Sequence, residues 1–165
     1  NSAPGKLDIL LMGDDFGAQN GPLISPQMWV DFLGKGFADY IDMAKSYGLR
    51  VREHSCGSFR ALIPLMMERG LDILQSLQPE AAGMDAWELK AEYGQQLALQ
   101  GGISIQRTLP FGTQEDVRRE VRDRIEALAP GGGYILCTAH NIQIDTPVTN
   151  VKELLQAYKE YGCYG

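Results

Sequence analysis

His54 and Cys56 stand two residues apart in "EHSCGSF" (53–59), directly after the run "GLRVR". Residues i and i+2 of an extended strand point to the same face, so an imidazole and a thiol at this spacing can converge on one ion. Neutral histidine and cysteine thiolate are preferred zinc ligands, and two of them make half of a site. "LCTAHN" near the end of the chain supplies two candidates for the missing ligand, Cys137 and His140. The bland alternative is that Cys56 is a small buried hydrophobe and His54 a hydrogen-bonded core residue. Cys163 reads as inert.

Other side chains capable of chemistry follow the ends of apolar runs. Asp14 and Asp15 in "GDDFG" are candidate acid/base or substrate-binding carboxylates, although aspartate beside glycine is also a turn former. Gln19 and Asn20 are candidate hydrogen-bond donors to a substrate carbonyl, or braces of a long loop. Gln78 and Glu80 in "LQPEAAGMD" are candidates of the same kind, with Glu80 also a candidate metal ligand and Pro79 a sufficient reason for a rigid turn. Gln106 after "GGIS" and Asn141 beside His140 complete the substrate-binding candidates. Gly131–Gly133 precedes an apolar run instead of opening a helix, so it reads as a connection and not as a phosphate cradle.

These residues must be positioned by a repeated unit: a short apolar run, a polar loop, an amphipathic helix, a glycine. The apolar runs are residues 7–13, 49–54, 71–76, 97–102 and 134–138, short and continuous enough for strands covered on both faces. Helices are expected after Ser25, where Trp29, Leu33, Phe37, Ile41 and Ala44 recur at helical spacing before Gly48, and over 60–69, 86–93, 114–128 and 147–161. Asp85 with Glu88 resembles a capping box, Thr113 can cap the fourth helix, and Glu115/Arg119 and Glu120/Arg124 are spaced for i,i+4 pairs. Five β-loop-α units without a hairpin predict an α/β fold with a parallel sheet. The candidates all follow strands and no G-x-G-x-x-G follows the first, which favours five units of a (β/α)8 TIM barrel over a dinucleotide-binding sheet.

The whole chain sets further bounds. Its 165 residues, 44% hydrophobic, suit one domain over 1–165, with "NSA" at 1–3 read as a cloning remnant. A formal charge of −6 gives no source of attraction to phosphate backbones, which excludes nucleic acid as a partner. No apolar run approaches the roughly 20 residues of a membrane span, and the start carries no secretory pattern. Three cysteines fit free thiols and a cytoplasmic location better than a disulfide framework.

Taken in order, "GDDFGAQNGPLISP", "HSCGS", "LQPEAAGMD", "GGISIQRTLPFGT" and "GGGYILCTAHNIQIDTP" resemble the uroporphyrinogen decarboxylase superfamily over nearly the whole chain, and its cobalamin-dependent methyltransferase branch most of all. The resemblance implies the C-terminal portion of a (β/α)8 barrel. Methyltransferases of that branch hold zinc with a His-x-Cys pair, matched by His54 and Cys56, and a distant cysteine. His140 best fits that third slot, with Cys137 three residues upstream, a departure that leaves the third ligand open between the two. "AHNI" also resembles the active-site histidine of the decarboxylases, so His140 is a catalytic candidate on either branch. The implied activity is zinc-dependent methyl transfer between a methylated small molecule, a corrinoid carried on a partner protein, and a thiol-type acceptor. Decarboxylation of a carboxylated tetrapyrrole is the alternative, and a catalytically incomplete binding module a third reading. A five-strand piece of a barrel leaves open sides, from which a homodimer is expected.

Overall fold

The strands pair strictly in chain order. A computed structural model of the protein describes residues 5–163, so the supposed remnant at 1–3 lies outside the described residues. Strands β1 (Ile9–Gly13), β2 (Arg50–His54), β3 (Ile73–Leu77), β4 (Ala98–Ile103) and β5 (Tyr134–Thr138) form one parallel sheet of order β1-β2-β3-β4-β5. A doubly wound sheet must reverse its order somewhere. An unbroken sequential order with right-handed crossovers puts every helix on the same face, as in an arc of a TIM barrel. The expected α/β class and five-unit architecture are therefore found.

Helix boundaries follow local chemistry. Ser25 caps α1 (Pro26–Trp29) by accepting the Met28 N–H, and α1 runs through a π-turn (Val30–Gly34) into α2 (Lys35–Ser46). The π-turn changes the helical phase, so Leu33, expected in the core, is exposed while Trp29, Phe37, Ile41 and Ala44 are buried. Gly34 makes room for Arg69, whose guanidinium donates to the Gly34 carbonyl at 3.1 Å and lies over the Trp29 ring. After a 3-10 turn at Arg60–Leu62 come α3 (Ile63–Glu68), α4 (Ala86–Tyr93), the short α5 (Thr108–Phe111), α6 (Gln114–Leu128) and α7 (Val148–Tyr161). Asp85 caps α4 through the Glu88 N–H, but the Glu88 side chain turns to Arg60 instead of closing a box. Thr113 and Asp116 form a complete capping box on α6, and Asp116 also takes Arg119, so the expected Glu115/Arg119 pair is replaced. The Glu120/Arg124 pair is present at 3.4 Å.

The main core lies between the helices and one face of the sheet, where Val51, Leu74 and Leu99 meet Trp29, Phe59, Leu62, Ile63, Met66 and Leu89. A second cluster of Ile103, Leu109, Val117, Val121, Leu154 and Ala157 joins the end of β4 to α5, α6 and α7. The other face carries polar and half-exposed residues: Arg52, His54, Gln75, Gln100 and Cys137 around a cavity, with Ile9, Leu11 and Ile135 open to solvent. No helix among the described residues is long and apolar enough to cross a membrane.

Candidate metal centre

The residues of "HSCGS" are held by the loop that leaves β1. Strand register puts Gly13 beside His54 and His54 beside Gln75. Past β1, Phe16 donates its N–H to the buried Ser55 Oγ at 3.0 Å, and Ser58 N–H reaches the Ala18 carbonyl at 2.7 Å. Gly57 turns the chain with φ +78°, and a Cβ there would lie 2.4 Å from the Gly17 carbonyl oxygen, a separation that only glycine allows. Gln78 braces the turn from the third unit: its Oε1 accepts the Gly57 N–H at 2.9 Å, and its buried Nε2 has no hydrogen-bond partner.

Within this frame one histidine is aimed. His54 Nδ1 lies 2.6 Å from Gln75 Oε1, so it carries the proton and donates, leaving the Nε2 lone pair toward Cys56 Sγ at 3.4 Å. That separation matches the roughly 3.5 Å between two ligands of a tetrahedral zinc with ordinary Zn–N and Zn–S bonds. The His140 ring comes from the loop after β5, with its centroid 5.4 Å from that of His54. Donor atoms of His54, Cys56 and His140 all lie within 4.8 Å of one another, and this is the metal-competent cluster among the described residues. Cys137 is not brought into it; its Sγ turns to the Thr138 carbonyl at 3.3 Å and lines the cavity below.

Electrostatics suit a cation. Burial, and then the negative charge of Asp15, push the Cys56 thiol up to about 11, so without a positive partner it stays protonated at neutral pH. A bound metal would reverse that balance. Asp15 accepts the Cys56 N–H at 2.9 Å and lies 3.8 Å from His54 Nε2, tying the β1 loop to both ligands. The residues present therefore fit zinc: two imidazoles and a thiol converge, and an amide outside the cluster fixes the tautomer of one imidazole.

The cluster separates two cavities. One, of about 360 Å³, is lined by Gly17, Gln19, Cys56, Gln78, Gln106 and His140, with Gln19 Nε2 donating to Gln106 Oε1 at 3.4 Å. The other, of about 410 Å³ on the inner face of the sheet, is lined by Arg52, His54, Gln75, Gln100, Cys137, His140 and Asn141. Of the remaining candidates, Asp14 lines a separate apolar groove beside α2. Asn20 is exposed and borders neither cavity. Glu80 accepts from Ser104 Oγ and braces the loop after β4. Arg52, Gln75 and Gln100 escaped the reading of loops because they lie within strands. Their signal was polarity at alternate positions, Arg52 with His54, and a glutamine closing each of "LDILQ" and "LALQ".

A family model described as uroporphyrinogen decarboxylase (URO-D) matches residues 8–161. The chain belongs to the uroporphyrinogen decarboxylase family. Among curated relatives, a methylated-thiol–coenzyme M methyltransferase of Methanosarcina mazei is 24% identical over 92% of this family member and 38% of its own length. A methylcobamide:CoM methyltransferase, MtaA, of Methanosarcina barkeri is 27% identical over 93% and 42% respectively. A uroporphyrinogen decarboxylase of Actinobacillus succinogenes is 32% identical over half of the chain and 24% of its own length. A solved methyltransferase from Methanosarcina mazei superimposes with a TM-score of 0.74 at 25% identity, over 94% of this chain and 43% of the other. This family member thus spans less than half the length of these relatives, and the likeness to the methyltransferases runs over nearly all of it.

Proposed function

We propose that this chain carries the metal-binding part of a zinc-dependent methyltransferase, which moves a methyl group between a methylated small molecule, a corrinoid on a partner protein, and a thiol-type acceptor. The observation that supports this reading is the convergence of His54, Cys56 and His140 within 4.8 Å, in a chain similar over more than 90% of its length to two methyltransferases. Zinc, when bound, lowers the pKa of a coordinated thiol and so supplies a thiolate at neutral pH. The chain's own residues prepare for this. Gln75 holds His54 with Nε2 toward the cluster, Asp15 ties the β1 loop to the Cys56 backbone, and His140 reaches in from the last unit. Gln19, Gln78 and Gln106 offer neutral amides to a substrate on the Cys56 side. Three free cysteines among the described residues support action in the cytoplasm.

Metal analysis and chelator competition test the reading. The purified chain should take up close to one zinc per chain, and Cys56→Ser or His140→Ala should weaken binding at least tenfold while Cys137→Ser leaves it unchanged. Failure to take up zinc, with the fold intact, would overturn it. Two decarboxylases among the relatives favour a second reading, decarboxylation of a carboxylated tetrapyrrole with His140 at the substrate. Zinc uptake that depends on Cys56 separates the two. Barrel active sites draw on many strand ends, so the chain alone is expected to transfer methyl groups poorly, and methylcobalamin:thiol transfer belongs to a longer chain containing it.

A further inference from the structure

Arg52 is a cation without a carboxylate. It lies on β2 two residues before His54 and on the same face, one strand step of about 6.6 Å below the cluster. Its Nη1 donates to Gln100 Oε1 at 3.1 Å, while Nε is buried with no hydrogen-bond partner. The cavity of about 410 Å³ that it lines is otherwise walled by His54, Gln75, Gln100, Cys137 and His140, neutral amides, imidazoles and a thiol. No ion pair joins Arg52 to an acidic group among the described residues, although the chain carries 21 Asp and Glu against 15 Lys and Arg. By contrast Arg50, the other arginine of β2, is paired with Asp72 at 3.0 Å. A half-buried guanidinium forfeits hydration, and such groups are ordinarily paired. Its planar fork matches a carboxylate or similar oxyanion in two parallel hydrogen bonds.

We propose that Arg52 is the anion-recognition residue of this cavity, receiving the carboxylate or an equivalent oxyanion of a small molecule whose other end reaches His54, Cys56 and His140. The spanning part rests on the zinc-thiol reading above; the anion site does not. The substrate class is then a short acid, with its anionic group and its reacting atom separated by a few bonds. Gln100 holds the guanidinium from β4, reaching across β3 on the cavity side of the sheet, so the charge is kept at the cavity wall and not left to swing into solvent.

The test compares ligands that differ in charge alone. Followed by NMR titration on the metal-free chain, propionate should bind at least tenfold tighter than its neutral isostere propionamide. Arg52→Gln should abolish the difference and Arg52→Lys, which keeps charge but not the fork, should retain part of it, with circular dichroism reporting the fold. Equal affinities in the wild-type chain, needing no variant, overturn the proposal, as does a preference that survives Arg52→Gln. On the zinc-loaded chain 3-mercaptopropionate should bind at least tenfold tighter than propionate; no gain overturns the spanning part. An Arg52-dependent preference in a chain that never takes up zinc upholds the anion site and sinks the zinc reading. Loss of the preference in a longer chain containing this one would assign Arg52 to a carboxylate of the added segment and overturn the proposal.

Discussion

Glu53 shows how one residue between two candidate site residues, Arg52 and His54, can govern stability. It is fully buried on the face opposite His54; one carboxylate oxygen accepts the Asp14 N–H at 3.2 Å and the other has no hydrogen-bond partner. Burial, reinforced by the charges of Asp14 and Asp15, pushes its carboxyl up to about 8, against 4.5 for a free side chain. The folded state thus holds a proton that the unfolded chain releases. Stability on this account is complete below pH ~4.5, falls by up to about 1.4 kcal/mol per pH unit as the pH rises to ~8, and levels off above. Glu53→Gln keeps the acceptor for Asp14 and removes the titration. Its melting temperature should exceed that of the wild type by a margin that widens from pH 5 to pH 8 and is constant beyond; a margin independent of pH would show that Glu53 does not titrate in this range.

At the scale of elements, the contact between the β1 loop and the "HSCGS" turn is expected to decide how firmly the candidate ligands are held. Gly57→Ala puts a Cβ against the Gly17 carbonyl and a side chain at φ +78°. The backbone conformation alone costs about 1–2 kcal/mol, a drop of roughly 2–8 °C in Tm for a chain of this size. Displacing the loop should also release Asp15 from the Cys56 N–H and weaken zinc binding about tenfold by chelator competition. Unchanged affinity would mean that the turn does not depend on the loop. Much of this architecture was legible beforehand, since short apolar runs between glycines are what a parallel sheet covered by helices requires. The strand starts were less so. Leu71 remains tied to α3 through the Met66 carbonyl, and the Asp72 carboxylate takes the Val51 N–H at 2.8 Å, so β3 begins at Ile73 and not at 71. Of the candidate site, His54 and Cys56 were visible from spacing alone, and His140 only as one of two choices. Gln75 lies 21 positions along the chain from His54 and Asp15 lies 41 from Cys56, separations that only the fold closes, and which side chain of "CTAHN" turns inward depends on a loop conformation that periodicity does not encode.

For the whole molecule, sequential pairing leaves β1 and β5 as edges, with Ile9 and Leu11 on the former and Ile135 on the latter exposed at 39%, 56% and 40%. Phe32, Leu33, Tyr40 and Met43 extend the apolar surface beside β1. Covering such residues is worth on the order of 1.5–3 kcal/mol each, and unpaired strand edges template association. The chain alone is therefore expected to form a dimer at micromolar concentration in sedimentation analysis, whereas a monomer that persists on concentration would show that these surfaces tolerate water. The same strand order has a consequence for how the polypeptide acquires its shape during synthesis. Each strand finds its partner in the unit just made, so contacts are short in sequence and the sheet can grow as the ribosome delivers it. The candidate ligand set does not share this economy: His54 and Cys56 emerge with the second strand, His140 only after the fifth. On the zinc reading proposed above, a nascent chain halted in between would have most of its sheet and an unfinished grip on metal, and ion capture would report that the fifth unit has arrived.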